Sequence, residues 1–222
     1  IATPGWANGG KGAKYAPAKF RDLQAFARAA ATRYSGNYVP VPRTPSGIVA
    51  PPGKVDLWLA WSEPNAPNFL QPQFRKVGNR YVLASPAIYA KICNAVHRGV
   101  HAAGKTAGVR ETVACGATNP RGKVRGNGNR DSVSPLLFLE KMKAAGAQFD
   151  VYAHHPYSPS RHIAPGERIA SVRTVTLGNI DVLLTTLTRL YGKSMRLWIT
   201  EYGYQTNPPD PLFGVSWRKQ AA

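Results

Sequence analysis

Along the chain, short runs of continuous apolar residues alternate with longer stretches whose apolar positions recur every three or four residues. The runs Val55 to Trp61, Thr112 to Ala117, Phe149 to Ala153 and Arg196 to Thr200 have strand length, and such runs mark strands buried on both faces. Leu23, Phe26, Ala27 and Ala30 predict a helix over 20–34, with Gly36 as its stop. Ser85-Pro86 reads as an N-cap followed by proline at the first helical position. Ile88, Ile92, Ala95, Val96 and Gly99 then share one side of a helix that Gly104 closes. Ser134-Pro135 opens another, carrying Leu136 and Leu139 and ending at Gly146. Ile180, Leu183, Leu184, Leu187 and Tyr191 predict one more, stopped by Gly192, and Ser216 is a candidate start for a last helix. A Pro-rich stretch over 38–53, the segment 65–83 and the Gly, Asn and Arg-rich segment 119–131 read as loops.

Strands alternating with amphipathic helices predict an α/β fold, a parallel sheet covered by helices. Two architectures compete, the doubly wound open sheet and the (β/α)8 TIM barrel. The open sheet advertises a glycine-rich phosphate loop after its first strand; here Gly126-Asn127-Gly128-Asn129 sits in mid-loop instead. A barrel gathers chemistry at the carboxyl ends of several strands, and Glu63, Asn119, His154, His155 and Glu201 all fall at such ends. The barrel is therefore expected, but an incomplete one. Four strands are whole, Ile1-Ala2 reads as the tail of a fifth, and eight units need about 250 residues. The expectation is a single partial domain over 1–222, from the end of strand three to strand seven and the start of helix seven.

Trp58-Leu59-Ala60-Trp61-Ser62-Glu63 and Leu197-Trp198-Ile199-Thr200-Glu201 each end an apolar run in one glutamate. Two strands that deliver one carboxylate apiece at the same end describe the pair needed for glycoside hydrolysis, one group to protonate the leaving oxygen and one to attack or activate water. A single such glutamate is better read as a solvated surface group. Two, placed alike among Trp61, Trp198 and His155, favour catalysis. Consecutive strand residues point to opposite faces, so only one of His154 and His155 faces the axis, as a catalytic or hydrogen-bonded group rather than a metal ligand. His97 and His101 are four apart on a helix, a spacing that suits zinc. No glutamate occupies the metalloprotease position between them, which favours a plain helix surface. Trp58 and Trp198 are expected in the core. Trp6 and Trp61 lie near strand ends, where stacking on a sugar competes with core packing for Trp61. Arg121, Lys123, Arg125 and Arg130 form either a rim for acidic sugars or a solvated loop, the second being preferred. No metal or cofactor is expected.

Together, Trp61-Ser62-Glu63-Pro64-Asn65, His154-His155-Pro156-Tyr157-Ser158 and the run from Ile199 to Pro209 resemble the cellulase-type (β/α)8 glycoside hydrolases. These belong to the clan of retaining enzymes whose acid/base and nucleophile stand on strands four and seven. Thr3-Pro4-Gly5-Trp6-Ala7 is similar to the loop after strand three in the same proteins. The resemblance implies hydrolysis of O-glycosidic bonds in a β-linked oligo- or polysaccharide by double displacement. It makes Glu63 the acid/base, Glu201 the nucleophile and Trp6 a sugar platform, with His155 and Tyr157 flanking the nucleophile. Tyr157 and Tyr202 are candidate hydrogen-bond donors to Glu201, and Asn119 a candidate sugar contact. Ser62 departs from the family pattern. It stands where an asparagine amide contacts the sugar 2-hydroxyl, and offers only a short hydroxyl. The competing functions are a non-catalytic carbohydrate-binding barrel and a basic nucleic-acid binder.

Composition narrows this further. With 222 residues, 43% of them hydrophobic, the chain is expected to be globular. The net charge of +18 allows a polyanionic partner. Its cations are dispersed and no nucleic-acid motif accompanies them, so carbohydrate is the expected partner. No apolar run has bilayer length, so no membrane is expected. Cys93 and Cys115 default to buried thiols, or to a disulfide if the protein is exported. The chain begins at Ile1 without a signal-like segment and is expected to be part of a longer, secreted protein, and its open sheet edges predict self-association.

Overall fold

The computed structural model describes residues 3–39, 52–128, 130–171 and 173–221. Its elements in order are α1 (Phe20–Arg33), β1 (Leu57–Leu59), β2 (Phe74–Val77), β3 (Arg80–Leu83), α2 (Ser85–Ala107), β4 (Thr112–Thr118), α3 (Pro135–Ala144), β5 (Val151–His154), α4 (Ile180–Tyr191), β6 (Arg196–Ile199) and α5 (Trp217–Ala221). Strands β1, β4, β5 and β6 lie side by side in that order, every pair parallel. The fold is thus mixed α/β, and its sheet runs in chain order without the reversal that marks a doubly wound switch point. Four consecutive βα units of a barrel wall have this arrangement. Ile1-Ala2, read as the tail of a fifth strand, lies outside the described residues, as does the stretch 40–51.

Alternation along the strands divides the core into two layers. Val113, Cys115 and Tyr152 face the helices, where they meet Tyr89, Ile92, Phe138, Leu139, Leu183 and Leu187. Ala114, Ala117, Val151 and Ala153 line the opposite face with Leu59 and Trp198. The same alternation sends His155 to the face of Val151 and Ala153. Burying Leu183 and Leu187 contributes about 2 kcal/mol each, enough to hold α4 on the sheet.

Several elements depart from expectation. The segment 65–83 contains an antiparallel hairpin, β2 with β3, pairing Val77 with Arg80 across Gly78-Asn79. Helix α1 buries Ala27 and Ala31 rather than Phe26, which is 70% exposed. Packing explains the rotation. α2 presents Gly99 to α1, and a Cβ there would stand 2.4 Å from the Gln24 carbonyl and 3.0 Å from Ala27 Cβ. Only a small-residue face of α1 allows that approach. Helix α2 starts at Ser85, whose hydroxyl donates to Gln73 Oε1 (2.7 Å) instead of capping. It runs beyond Gly104 to Ala107 and is capped by Gly108 at φ 67°. Cys93 on α2 and Cys115 on β4 form a disulfide, not two thiols.

Candidate active site

Glu63 is positioned by an irregularity in the neighbouring strand. The β4–β5 register slips between Gly116 and Thr118, and Ala117 takes φ 45°. Its carbonyl then accepts from the Glu63 amide (2.9 Å). Glu63 itself has φ 42° and Trp61 φ 74°. Such backbone costs roughly 1–3 kcal/mol per residue and persists only where its surroundings over-determine it. Asn65, fully buried, provides part of that restraint. Its amide nitrogen donates to the carbonyls of Asn119 (3.0 Å) and Val133 (2.9 Å), and its Oδ1 accepts from the Asn119 amide (2.8 Å). Gln73, also buried, donates to Pro64 and Leu70 and braces the turn from below.

The side chains then converge. Asn119 Nδ2 donates to Glu63 Oε2 (3.2 Å). His155 Nδ1 lies 3.2 Å from Glu63 Oε1 and 3.5 Å from Glu201 Oε2. One oxygen of each glutamate and one nitrogen of His155 all lie within 4.8 Å of one another. On the far side of the ring, Nε2 is 3.0 Å from Thr200 Oγ1. Tyr157 donates to Glu201 Oε2 at 3.4 Å. Burial first, then the charges of Glu201 and Glu63, push the Tyr157 hydroxyl pKa up, so it stays a donor. Glu63 is mostly enclosed, with 13% of its side chain exposed, while Glu201 is open at 47%.

His154 illustrates the opposite surroundings on the other face. It is fully buried, with Nδ1 2.8 Å from Thr118 Oγ1 and Nε2 donating to the Val175 carbonyl (3.0 Å). Desolvation is the main cause that lowers its pKa to about 4, so it is neutral and structural.

Two expected contacts are corrected. The Trp61 indole is 4% exposed and donates to the Phe69 carbonyl (3.1 Å), because positive φ turns it into the core. It offers no sugar platform. Tyr202 makes no hydrogen bond to Glu201. Its hydroxyl is buried, its ring meets Tyr204 edge-on, and burial pushes its pKa up to about 12. Trp6 is 83% exposed, a free ring face. Ser62 is half-buried, and its hydroxyl finds no hydrogen-bond partner among the described residues.

A cavity of about 820 Å³ opens beside Glu63, lined among others by Lys14, Phe69, Asn119, Arg121, Lys123 and Arg130. Lys14 was not expected there. The Gln71 amide bonds its carbonyl (2.8 Å) and brings it to the rim. Arg125 lines other depressions instead. A smaller hollow of about 290 Å³ lies on the Tyr157 side, and Arg121 borders both.

No protein-family model matches the chain, and no curated protein matches it either. Among solved structures it is similar to a glycoside hydrolase catalytic domain described as the Ignisphaera aggregans GH53 catalytic domain. The TM-score is 0.41 and the identity 17%. The alignment covers 87% of this chain, which spans 41% of the length of that structure. Asn65 and Thr200 escaped the sequence reading. For Thr200 a signal existed, since alternation puts it on the inner face with Trp198.

Proposed function

We propose that the chain belongs to a retaining glycoside hydrolase acting on a β-linked oligo- or polysaccharide. The observation that carries this is the approach of Glu63 and Glu201 about His155, within 4.8 Å. Retaining enzymes hold their carboxyl groups about 5–5.5 Å apart and inverting ones roughly 6.5–9.5 Å; facing oxygens of Glu63 and Glu201 no more than 4.8 Å apart favour the shorter class. In the first step Glu201 attacks the anomeric carbon, the glycosidic C–O bond breaks, and Glu63 gives its proton to the leaving oxygen. In the second, water attacks the same carbon, Glu63 takes its proton, and Glu201 is released.

Glu63 must therefore alternate between acid and carboxylate, and its neighbours hold the carboxyl group in place throughout: Asn119 Nδ2 donates to Oε2 (3.2 Å), and His155, fixed by Thr200 at Nε2 (3.0 Å), stands 3.2 Å from Oε1. The cavity beside Glu63 is the natural berth for the leaving group. Cys93–Cys115 supports export to an oxidising compartment.

The test is hydrolysis of aryl β-glycosides by Glu201→Gln and Glu63→Gln. The first variant is expected to lose turnover. The second is expected to lose about 10²–10⁴-fold, the range for general acid–base groups, and most on substrates with poor leaving groups. Unchanged rates in both variants overturn the reading. Saturable oligosaccharide binding by the unmodified chain, without turnover, replaces it with a sugar-binding role.

A further inference from the structure

We propose that His97, His101 and Asp150 form a site for a divalent transition metal of the zinc class, at the end of the sheet opposite the two glutamates. Asp150 immediately precedes β5 and His155 immediately follows it, which places the two clusters about 15 Å apart along the strand. His97 and His101 stand one turn apart on α2, a spacing that shares a helix face, and their ring centroids are 4.3 Å apart. Both turn Nε2 toward the same carboxylate. His101 Nε2 is 2.8 Å from Asp150 Oδ2, and His97 Nε2 is 3.5 Å from Oδ1.

A hydrogen bond between His101 and Asp150 accounts for one histidine. It leaves unexplained why the second, too far for a good hydrogen bond, aims the same nitrogen at the other oxygen. A metal accounts for both. Zinc bonds of about 2.0–2.1 Å in tetrahedral geometry set neighbouring ligand atoms roughly 3.3 Å apart. The observed 2.8 and 3.5 Å bracket that value, and one ligand atom from each of the three residues lies within 4.8 Å of the others.

The surroundings fit. Asp150 Oδ2 is already oriented by the Val113 amide (2.7 Å), as outer partners orient metal carboxylates. Between 23% and 38% of each of the three side chains is exposed, which leaves an entry path and a fourth position for water. The adjoining hollow of about 550 Å³ carries Lys105, Arg110, Glu111 and Arg196. Lys105, Arg110 and Arg196 oppose hard ions held by charge alone, so the site favours metals that grip imidazole nitrogen over Mg²⁺ or Ca²⁺. Glu111, the further carboxylate of that hollow, is held by the Trp58 indole (2.7 Å), and the ion's role is structural. It would tie α2 to the start of β5, one turn beyond the Cys93–Cys115 link to β4.

The test uses metal alone, on the chain carrying Glu63→Gln so that the Glu63–His155–Glu201 cluster does not compete. Co²⁺ is expected to bind one to one with the intense visible bands of four-coordination. Zn²⁺ should displace it and raise Tm by about 5–10 °C at a hundredfold excess over Kd, while Mg²⁺ leaves Tm unmoved. His97→Ala, or His97→Gln if alanine prevents folding, should abolish the bands. Their absence from the parent chain, weak six-coordinate bands, or bands that survive both His97 changes overturn the proposal.

Discussion

Glu63, Glu201 and Thr200 all approach the His155 ring, and the Thr200 hydroxyl meets its Nε2 at 3.0 Å. Thr200→Val keeps the volume and removes that hydrogen bond. kcat/KM should fall about tenfold, the kinetic equivalent of one hydrogen bond of roughly 1–1.5 kcal/mol. The pH–rate profile should shift with it, and Thr200→Ser should restore both. A merely structural Thr200 would leave the profile in place. His154 makes a separate prediction about stability. Its pKa is lowered from 6.5 to about 4, so the unfolded chain takes up a proton that the folded one refuses. The stabilisation is complete above pH 6.5 and is lost as pH falls toward 4. Between pH 7 and 5 urea unfolding should lose about 2 kcal/mol, in the same direction as any effect of His97, and His154→Gln should flatten the slope. That the two glutamates, Asn119, His155 and Tyr157 lie together was legible because strand ends are legible. Trp61 and Tyr202 were not, because a positive φ or a turn after a strand redirects a side chain in ways no alternation rule anticipates.

At the level of elements, Cys93–Cys115 ties the longest helix to a central strand across a separation of 22 residues. A loop of that size restricts the unfolded chain by about 3 kcal/mol. Paired Cys93→Ala and Cys115→Ala changes should lower the urea midpoint accordingly, and reductant should do the same to the parent chain but not to the double variant. A midpoint that reductant leaves unchanged refutes the link. Periodicity located α4 at its observed bounds, since Ile180, Leu183, Leu187 and Tyr191 form an uninterrupted stripe. It missed the β2–β3 hairpin, whose outer residues are mostly exposed and so carry no burial pattern. The cue was its turn, Gly78-Asn79, a two-residue hairpin signal between runs containing Val77 and Tyr81. It misjudged the face of α1 because helix packing there follows Gly99 of another element, information absent from the local sequence.

On the scale of the whole molecule, a net charge of +18 bears on function only where the charge meets the candidate chemistry. The cavity beside Glu63 is such a place. Of its four cations, Lys123 is paired with Asp131 at 2.8 Å. Lys14, Arg121 and Arg130 have no carboxylate within salt-bridge distance among the described residues, and Glu63 is the cavity's one acidic lining residue. A leaving group carrying uronate carboxylates would enter that field attractively, whereas a neutral one would gain nothing from it. Added salt shortens the screening length from about 10 Å at 0.1 M to about 3 Å at 1 M. Over that range kcat/KM on a β-linked polyuronate should fall on the order of tenfold, while that on a neutral β-glucan stays level. Arg121→Gln, which removes the cation bordering both hollows, should reproduce much of the salt effect at low ionic strength. Equal salt response on the two polymers, or an Arg121 variant indifferent to substrate charge, would assign these cations to solvation of the loop and nothing more.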